Sequence, residues 1–259
     1  MSGISGIGKT SFAANFPEAI FIQSRGESGL QTLEAAGIVK ANIMPFESNG
    51  QTFLEAQNWN DILDAIEWLT TSEHGFKTLV FDVINGCEKL LHEFTCWKDY
   101  GNDWGEKGFM SFQRGFETSL VYLKELINKL DVLRSQRGMT IVMLTHTKVV
   151  TFKNPIGADY DKYVPDMHAK SWGLISAWAD IVLFANRVVN VETDRNQKKG
   201  KADSFTDRVL HTEANPAWDA KNRHNLPTEI PMGESAAECY SNFVRALKES
   251  VSENSKANA

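Results

Sequence analysis

Residues Gly3-Ile4-Ser5-Gly6-Ile7-Gly8-Lys9-Thr10 fit the pattern G-x-x-x-x-G-K-[ST] at every fixed position. The chemistry served by that spacing is phosphate binding. Glycines let the backbone curl until successive N–H groups point at phosphate oxygens, and a following helix adds its positive N-terminal end. Lys9 is then expected at the β- and γ-phosphates and Thr10 on Mg²⁺, with Gly3, Ser5, Gly6, Ile7, Gly8 and Ser11 completing the cradle. The expected cofactors are ATP and Mg²⁺; the competing reading is a Gly-rich loop without a ligand.

Further polar residues close apolar runs. Asp82 ends Thr78-Leu79-Val80-Phe81 and has the position of a carboxylate that holds Mg²⁺, directly or through water; a helix N-cap is the alternative. Glu27, just past Ala19-Ile20-Phe21-Ile22, is the first candidate to orient or deprotonate an attacking water, unless it and Arg25 are solvated loop charges. His146 closes Thr140 to Thr145 and can donate a hydrogen bond toward a γ-phosphate, or simply pack. On the loop Asp219 to Pro227, Lys221 and Arg223 flank Asn222. Phosphoryl transfer develops charge that a cation from a neighbouring subunit can stabilise, although most such charges are solvated surface.

The elements that must carry these residues alternate in type. Ile62, Leu63, Ile66 and Leu69 lie at helical spacing within 59–69, and Phe116, Leu120, Leu123, Ile127, Leu130 and Leu133 form a second stripe between Gln113 and Arg137. Pro17 ends a short helix that begins after the loop. Buried strands are expected at 19–22, 78–82, 140–146 and 181–185. Such alternation predicts an α/β fold with a mostly parallel central sheet and helices on both faces, whose ligands gather at the carboxyl ends of the strands. Val188–Glu192 and Arg208–Thr212 bracket a polar stretch with Lys198, Lys199 and Lys201, which predicts a C-terminal β-hairpin with a basic, mobile tip. A phosphate loop normally follows a buried strand, yet only Met1 and Ser2 precede Gly3, so the first strand is expected to be missing. Residues 1–247 are expected to form one domain, and 248–259, polar and without apolar periodicity, a disordered tail.

Composition sets the outer limits. With 259 residues, 42% hydrophobic and 23% charged, the chain suits a soluble globular protein with one sizeable core; it has no membrane-length apolar run, and no signal peptide is expected. Cys87, Cys96 and Cys239 lack C-x-x-C spacing, which suits free thiols in a reducing cytoplasm. A net charge of −6 argues against wholesale coating by a polyanion without excluding a local basic face. Six scattered histidines predict no structural metal beyond nucleotide-bound Mg²⁺.

Gly3 to Thr10, Glu27-Ser28-Gly29-Leu30, Thr78 to Asp82, the strand ending at His146, Trp178 to Phe184 and Ala220-Lys221-Asn222-Arg223 together resemble the RecA-like P-loop ATPases encoded by phages, over residues 1 to 232. That group includes single-strand DNA annealing recombinases with a core similar to RadA and RecA. The resemblance implies an ATPase in the cytoplasm of a phage-bearing bacterial host, assembled as a homo-oligomeric ring or filament on single-stranded DNA. It also implies that Lys221 and Arg223 reach across a subunit boundary as trans-acting fingers. Departures are an extra Arg25-Gly26 beside Glu27 and His224-Asn225 where RadA-type proteins have Phe-Gly. Two stretches mix aromatics with cations as a single-strand interface would: Tyr100 to Arg114 (Trp104, Lys107, Phe109, Phe112) and Lys148 to Tyr163 (Phe152, Lys153, Tyr160, Lys162). A helicase-like or packaging motor, a small-molecule kinase and a non-catalytic nucleotide-dependent binding module are the rival readings.

Overall fold

The computed structural model describes residues 1–27, 29–192 and 201–257. In chain order the elements are β1 (Ser2–Gly3), α1 (Lys9–Ala13), β2 (Ala19–Gln23), α2 (Gly29–Ala35), β3 (Asn42–Ile43), β4 (Phe46–Ser48), β5 (Gln51–Phe53), α3 (Trp59–Thr71), β6 (Thr78–Asp82), α4 (Ile84–Tyr100) and, after one 3₁₀ turn, α5 (Arg114–Arg137). They continue with β7 (Thr140–Met143), β8 (Thr145–Phe152), β9 (Tyr160–Pro165), α6 (Ala169–Trp178), β10 (Ile181–Val182), β11 (Phe184–Glu192), β12 (Lys201–His211), β13 (Lys221–Asn222), β14 (Glu229–Pro231) and α7 (Ala236–Ala257). The chain divides into two compact units, Met1–Phe12 with Thr147–Val164 and Asp180–Ala259, and Ala13–His146 with Pro165–Ala179.

The second unit holds a parallel sheet in the order β3-β2-β6-β7. Strands β2 and β6 are buried at every residue, which is why both read as unbroken apolar runs rather than alternations. Their side chains pack with Trp59, Ile62, Ile66 and Leu69 of α3 and with Leu123, Leu126, Leu130 and Leu133 of α5. Helix α3 starts at a capping box in which Asn58 Oδ1 accepts from the Asp61 N–H at 3.1 Å and the Asp61 carboxylate accepts from the Asn58 N–H at 3.1 Å. Helix α5 stops at Gly138, whose φ of +65° suits glycine and whose N–H bonds Arg134 O at 3.0 Å.

The first unit holds a mixed sheet in the order β14-β12-β11-β1-β8-β9. Strand β1 runs parallel to β11, with Ser2 opposite Phe184 and Gly3 opposite Ala185, whereas β12 lies between β11 and β14 and runs antiparallel to both. The expected hairpin is β11–β12, paired from Phe184↔His211 to Glu192↔Lys201 with register shifts between Arg187 and Val189 and between Asn190 and Val191. Its expected basic tip, 193–200, lies outside the described residues.

Several expectations are corrected. A strand does lead into the phosphate loop, the two residues Ser2–Gly3 paired with β11. Among the described residues the strands form two larger sheets, only one of them wholly parallel, and two two-stranded ones, β10-β13 and β4-β5. The run 140–146 breaks at Leu144 into β7 and β8, which belong to different sheets. The polar C-terminal stretch continues helix α7, which runs to Ala257 and buries Cys239, Phe243, Ala246 and Ser250 at helical spacing as far as residue 250. As expected, Cys87, Cys96 and Cys239 are free thiols, and all three are buried.

Candidate functional site

In the first unit, β1 brings Gly3 so close to β11 that a Cβ there would lie 2.6 Å from Ala185 O, so only glycine fits. The loop then turns through two glycines in the left-handed region, Gly6 at φ +71° and Gly8 at φ +102°. A Cβ on Gly6 would meet nothing within 4 Å, so this side of the loop faces open space. Ser5 and Gly6 are exposed, Thr10 and Ser11 half-buried, and Ile7 is wholly buried, so Ile7 offers only its backbone. Lys9 is 6% exposed, and its Nζ donates to Gly3 O at 2.9 Å and Ile4 O at 3.0 Å. An ammonium held over a curled glycine loop by the loop's own carbonyls fits a polyphosphate.

In the second unit, Asp82 ends β6 opposite Gln23 of β2, is 3% exposed, and precedes a cis peptide bond to Val83. The next turn packs tightly: Ser24 N–H donates to Asp82 O at 3.2 Å, and a Cβ on Gly86 would fall 2.0 Å from Ser24 Oγ. Glu27 and His146, 119 residues apart in sequence, meet with Glu27 Oε1 3.2 Å from His146 Nε2. Both are about one-third exposed, so the pair is accessible to a water or a ligand. Arg25 is taken up by an ion pair with Glu93, and Gly26 turns at φ +86° with its N–H on Glu55 Oε2 at 3.2 Å. The extra Arg-Gly thus closes a turn beside Glu27 without placing a cation on it.

Two residues of this cluster escaped the sequence reading. Gln23 is fully buried; its Nε2 donates to Glu27 O at 3.4 Å, while its Oε1 has no hydrogen-bond partner among the described residues. The signal was available, since Gln23 closes an apolar strand as Asp82 does. Asn85 Oδ1 accepts from Thr145 Oγ1 and from the His146 N–H, each at 3.2 Å, and so fixes the backbone that carries His146. Nothing in the local sequence marks Asn85.

A family model described as an AAA domain matches residues 1–224. The chain belongs to this AAA domain family. Domains of this kind are nucleotide-binding ATPase modules of the P-loop type, and the mixed α/β architecture with parallel strands agrees with that assignment. No curated protein matches the chain.

Lys221 and Arg223 of the AAA domain stand in its first unit. β13 pairs antiparallel with β10, and Asn222 closes the following turn through Nδ2 to Leu226 O at 2.9 Å and the His224 N–H to its Oδ1 at 2.9 Å. Arg223 Nη1 binds Asp180 Oδ1 at 3.0 Å, both about half exposed. Desolvation, helped by Arg223 and opposed by Asp180, lowers the Lys221 pKa. The two aromatic stretches are only partly available for stacking. Phe109 is buried among Tyr100, Trp104, Phe116 and His92, whereas Phe112 is 92% exposed at φ +47° with the Arg114 guanidinium 5.8 Å over its ring. Phe152, also exposed, lies 5.2 Å from Tyr160, and Lys162 binds Asp219 at 2.7 Å. Among the described residues no helix is long and apolar enough to cross a membrane, and no three His, Cys, Asp or Glu side chains are grouped to hold a metal ion.

Proposed function

We propose that this AAA domain binds and hydrolyses Mg·ATP within a homo-oligomeric ring or filament that acts on single-stranded DNA, as phage-type RecA-like annealing recombinases do. The observation that carries the nucleotide part is the loop: left-handed Gly6 and Gly8 around an inward Lys9 ammonium. Lys9 would neutralise β- and γ-phosphate oxygens, and by motif Thr10 and Asp82 would be the residues to hold Mg²⁺. The metal would supply charge neutralisation at the transferring phosphoryl group. Glu27 accepts the proton of the attacking water, and His146, bonded to Oε1, fixes which carboxylate oxygen is presented. Lys221 and Arg223 act on the neighbouring subunit's nucleotide, a role supported by the half-exposed setting of Arg223. Phe112 and Phe152, exposed beside Arg114 and Lys162, are the aromatic platforms offered to bases.

The test is ATP hydrolysis with and without single-stranded DNA, with Lys9→Ala as the blank. Stimulation by DNA that disappears in Lys9→Ala is the expected result. Turnover indifferent to DNA would overturn the DNA part in favour of a kinase or a different motor. Absence of turnover with retained ATP binding would leave a nucleotide-dependent binding module.

A further inference from the structure

The phosphate loop is gripped from outside by a residue that belongs to no nucleotide motif. Arg208, on β12 opposite Arg187, sends Nη1 to Ile7 O at 3.4 Å and Nη2 to Gly233 O at 2.8 Å and Glu234 O at 3.1 Å. The same guanidinium lies 3.3 Å from where a Cβ of Gly8 would be. One planar cation therefore ties the loop to the turn that leads into α7. That turn is itself well fixed. Gly233 has φ +65° beside the Glu238 side chain, the Glu234 N–H donates to Glu238 Oε2 at 2.9 Å, and the Glu238 N–H donates to Ser235 Oγ at 3.1 Å. A second link joins the far side of the loop to the same helix, since Phe12 of α1 meets Phe243 edge-on at 5.7 Å and Tyr240 at 6.4 Å. Residues 7 to 12, the end of the loop and the start of α1, are thus held at both ends by α7 and its entry turn.

We infer that Arg208 is a positioning residue for the phosphate loop: it holds Ile7 and Gly8 in the anion-binding curl and transmits nucleotide occupancy to the start of α7. Three carbonyl acceptors around one side chain call for the fork of a guanidinium, which an ammonium cannot span in a single plane. Ile7 and Gly8 supply backbone to the cradle, so any slack in their carbonyl side is slack in the N–H groups that face the phosphates. The positive charge behind Gly8 also favours an anion in front of it. A loop anchored to a helix by one cation will in turn order that helix entry when the loop is filled, because the coupling is reciprocal.

This inference rests on the loop being a nucleotide site, and the experiment separates the two. Binding of a fluorescent ATP analogue and steady-state hydrolysis are measured for the unaltered chain, Lys9→Ala, Arg208→Met and Arg208→Lys. Absence of binding by the unaltered chain would remove the nucleotide reading itself. With binding established, Arg208→Met is expected to weaken it by about tenfold or more, the loss of a charge-assisted hydrogen-bond set, and to raise KM with little change in kcat. Arg208→Lys should recover part of the affinity. Equal affinity in Arg208→Met overturns the proposal, as does a fall in kcat with KM unchanged. In case Arg208→Met fails to fold, the unaltered chain provides an independent measurement through amide hydrogen exchange. Mg²⁺ with a non-hydrolysable ATP analogue should slow exchange across 232–240 in the unaltered chain and leave it unchanged in Lys9→Ala. Exchange there that ignores the nucleotide in both proteins refutes the coupling.

Discussion

In the first unit, the candidate chemistry is placed by backbone. Lys9 finds its partners five and six residues away, and the glycines between them set the geometry through φ. In the second unit it is placed by side chains at strand ends, where Glu27 and His146 meet across 119 residues of sequence. Strand order brings them together: β2 and β6 are parallel neighbours with Gln23 opposite Asp82, and Leu144, just before His146, accepts from the Ile84 N–H at 2.8 Å. A contiguous loop is vulnerable wherever an atom is added to its backbone, whereas a dispersed pair tolerates local change and depends on the identity of two side chains. Substitutions in the two regions should therefore fail in different ways.

The largest expected effect is on chemistry alone. Glu27→Gln keeps the shape of the side chain and removes the proposed base, so kcat should fall about 10²- to 10⁴-fold while nucleotide affinity stays within about twofold. Single-turnover hydrolysis and equilibrium binding separate the two, and an undiminished kcat would remove Glu27 from the reaction. In the first unit the counterpart is Gly3→Ala, which forces a Cβ to 2.6 Å from Ala185 O. Overpacking of this kind costs about 1–3 kcal/mol, so the melting temperature should drop by several degrees together with nucleotide affinity. If Gly3→Ala left stability intact while abolishing binding, the contrast between backbone-built and side-chain-built regions would not hold.

The same contrast explains what the sequence made legible. The phosphate loop could be read because its residues are adjacent and their spacing is the geometry. Strands β2 and β6 could be read because burial on both faces leaves continuous apolar runs. Helix α4 escaped because Asn85, Glu88 and Thr95 share its buried face with Ile84, Leu90 and Leu91 and blur the stripe. The β4–β5 hairpin carried a usable signal in Asn49-Gly50, both at positive φ. Gln23 and Asn85 gained meaning only once the strand ends were together, and Arg208 only once β12 lay beside the loop. The division into two units could not be read at all, because each unit draws on distant stretches of chain.

A dispersed polar cluster also exposes the second unit to pH. His92 on α4 lies near Glu88, at 3.9 Å, and against Phe109 and Phe116; burial first, and then the nearby His168, lowers its pKa to about 4. Desolvation lowers the His168 pKa as well. Both shifts act in one direction. Below the unfolded value of about 6.5 the unfolded chain takes up a proton that the folded chain refuses, so stability falls as pH drops from about 6.5 to about 4 and is flat above that window. The His92 contribution between pH 7 and 5 is about 2 kcal/mol. His92→Phe should flatten that part of the slope in urea titrations at the two pH values, leaving a shallower residue from His168. An unchanged slope would place the acid sensitivity elsewhere.

The smallest effect belongs to the first unit, at the ion pair between Arg223 and Asp180. Both partners are about half exposed, so solvent screens the interaction and its worth is about 0–1 kcal/mol. Asp180→Asn should therefore shift the melting temperature by no more than about 3 °C. Its interest lies in what it frees. An arginine that serves a neighbouring subunit must leave Asp180 to do so, and a weak intramolecular partner keeps that departure cheap. If Arg223 serves a neighbouring subunit as proposed, Asp180→Asn should leave hydrolysis unchanged or modestly faster, whereas Arg223→Ala should slow it without changing the oligomeric state. If instead Asp180→Asn slowed hydrolysis as much as Arg223→Ala, the pair would be a structural clasp for the β10–β13 turn. Arg223 would then stabilise its own unit, and this turn, like the phosphate loop, would work by fixing backbone.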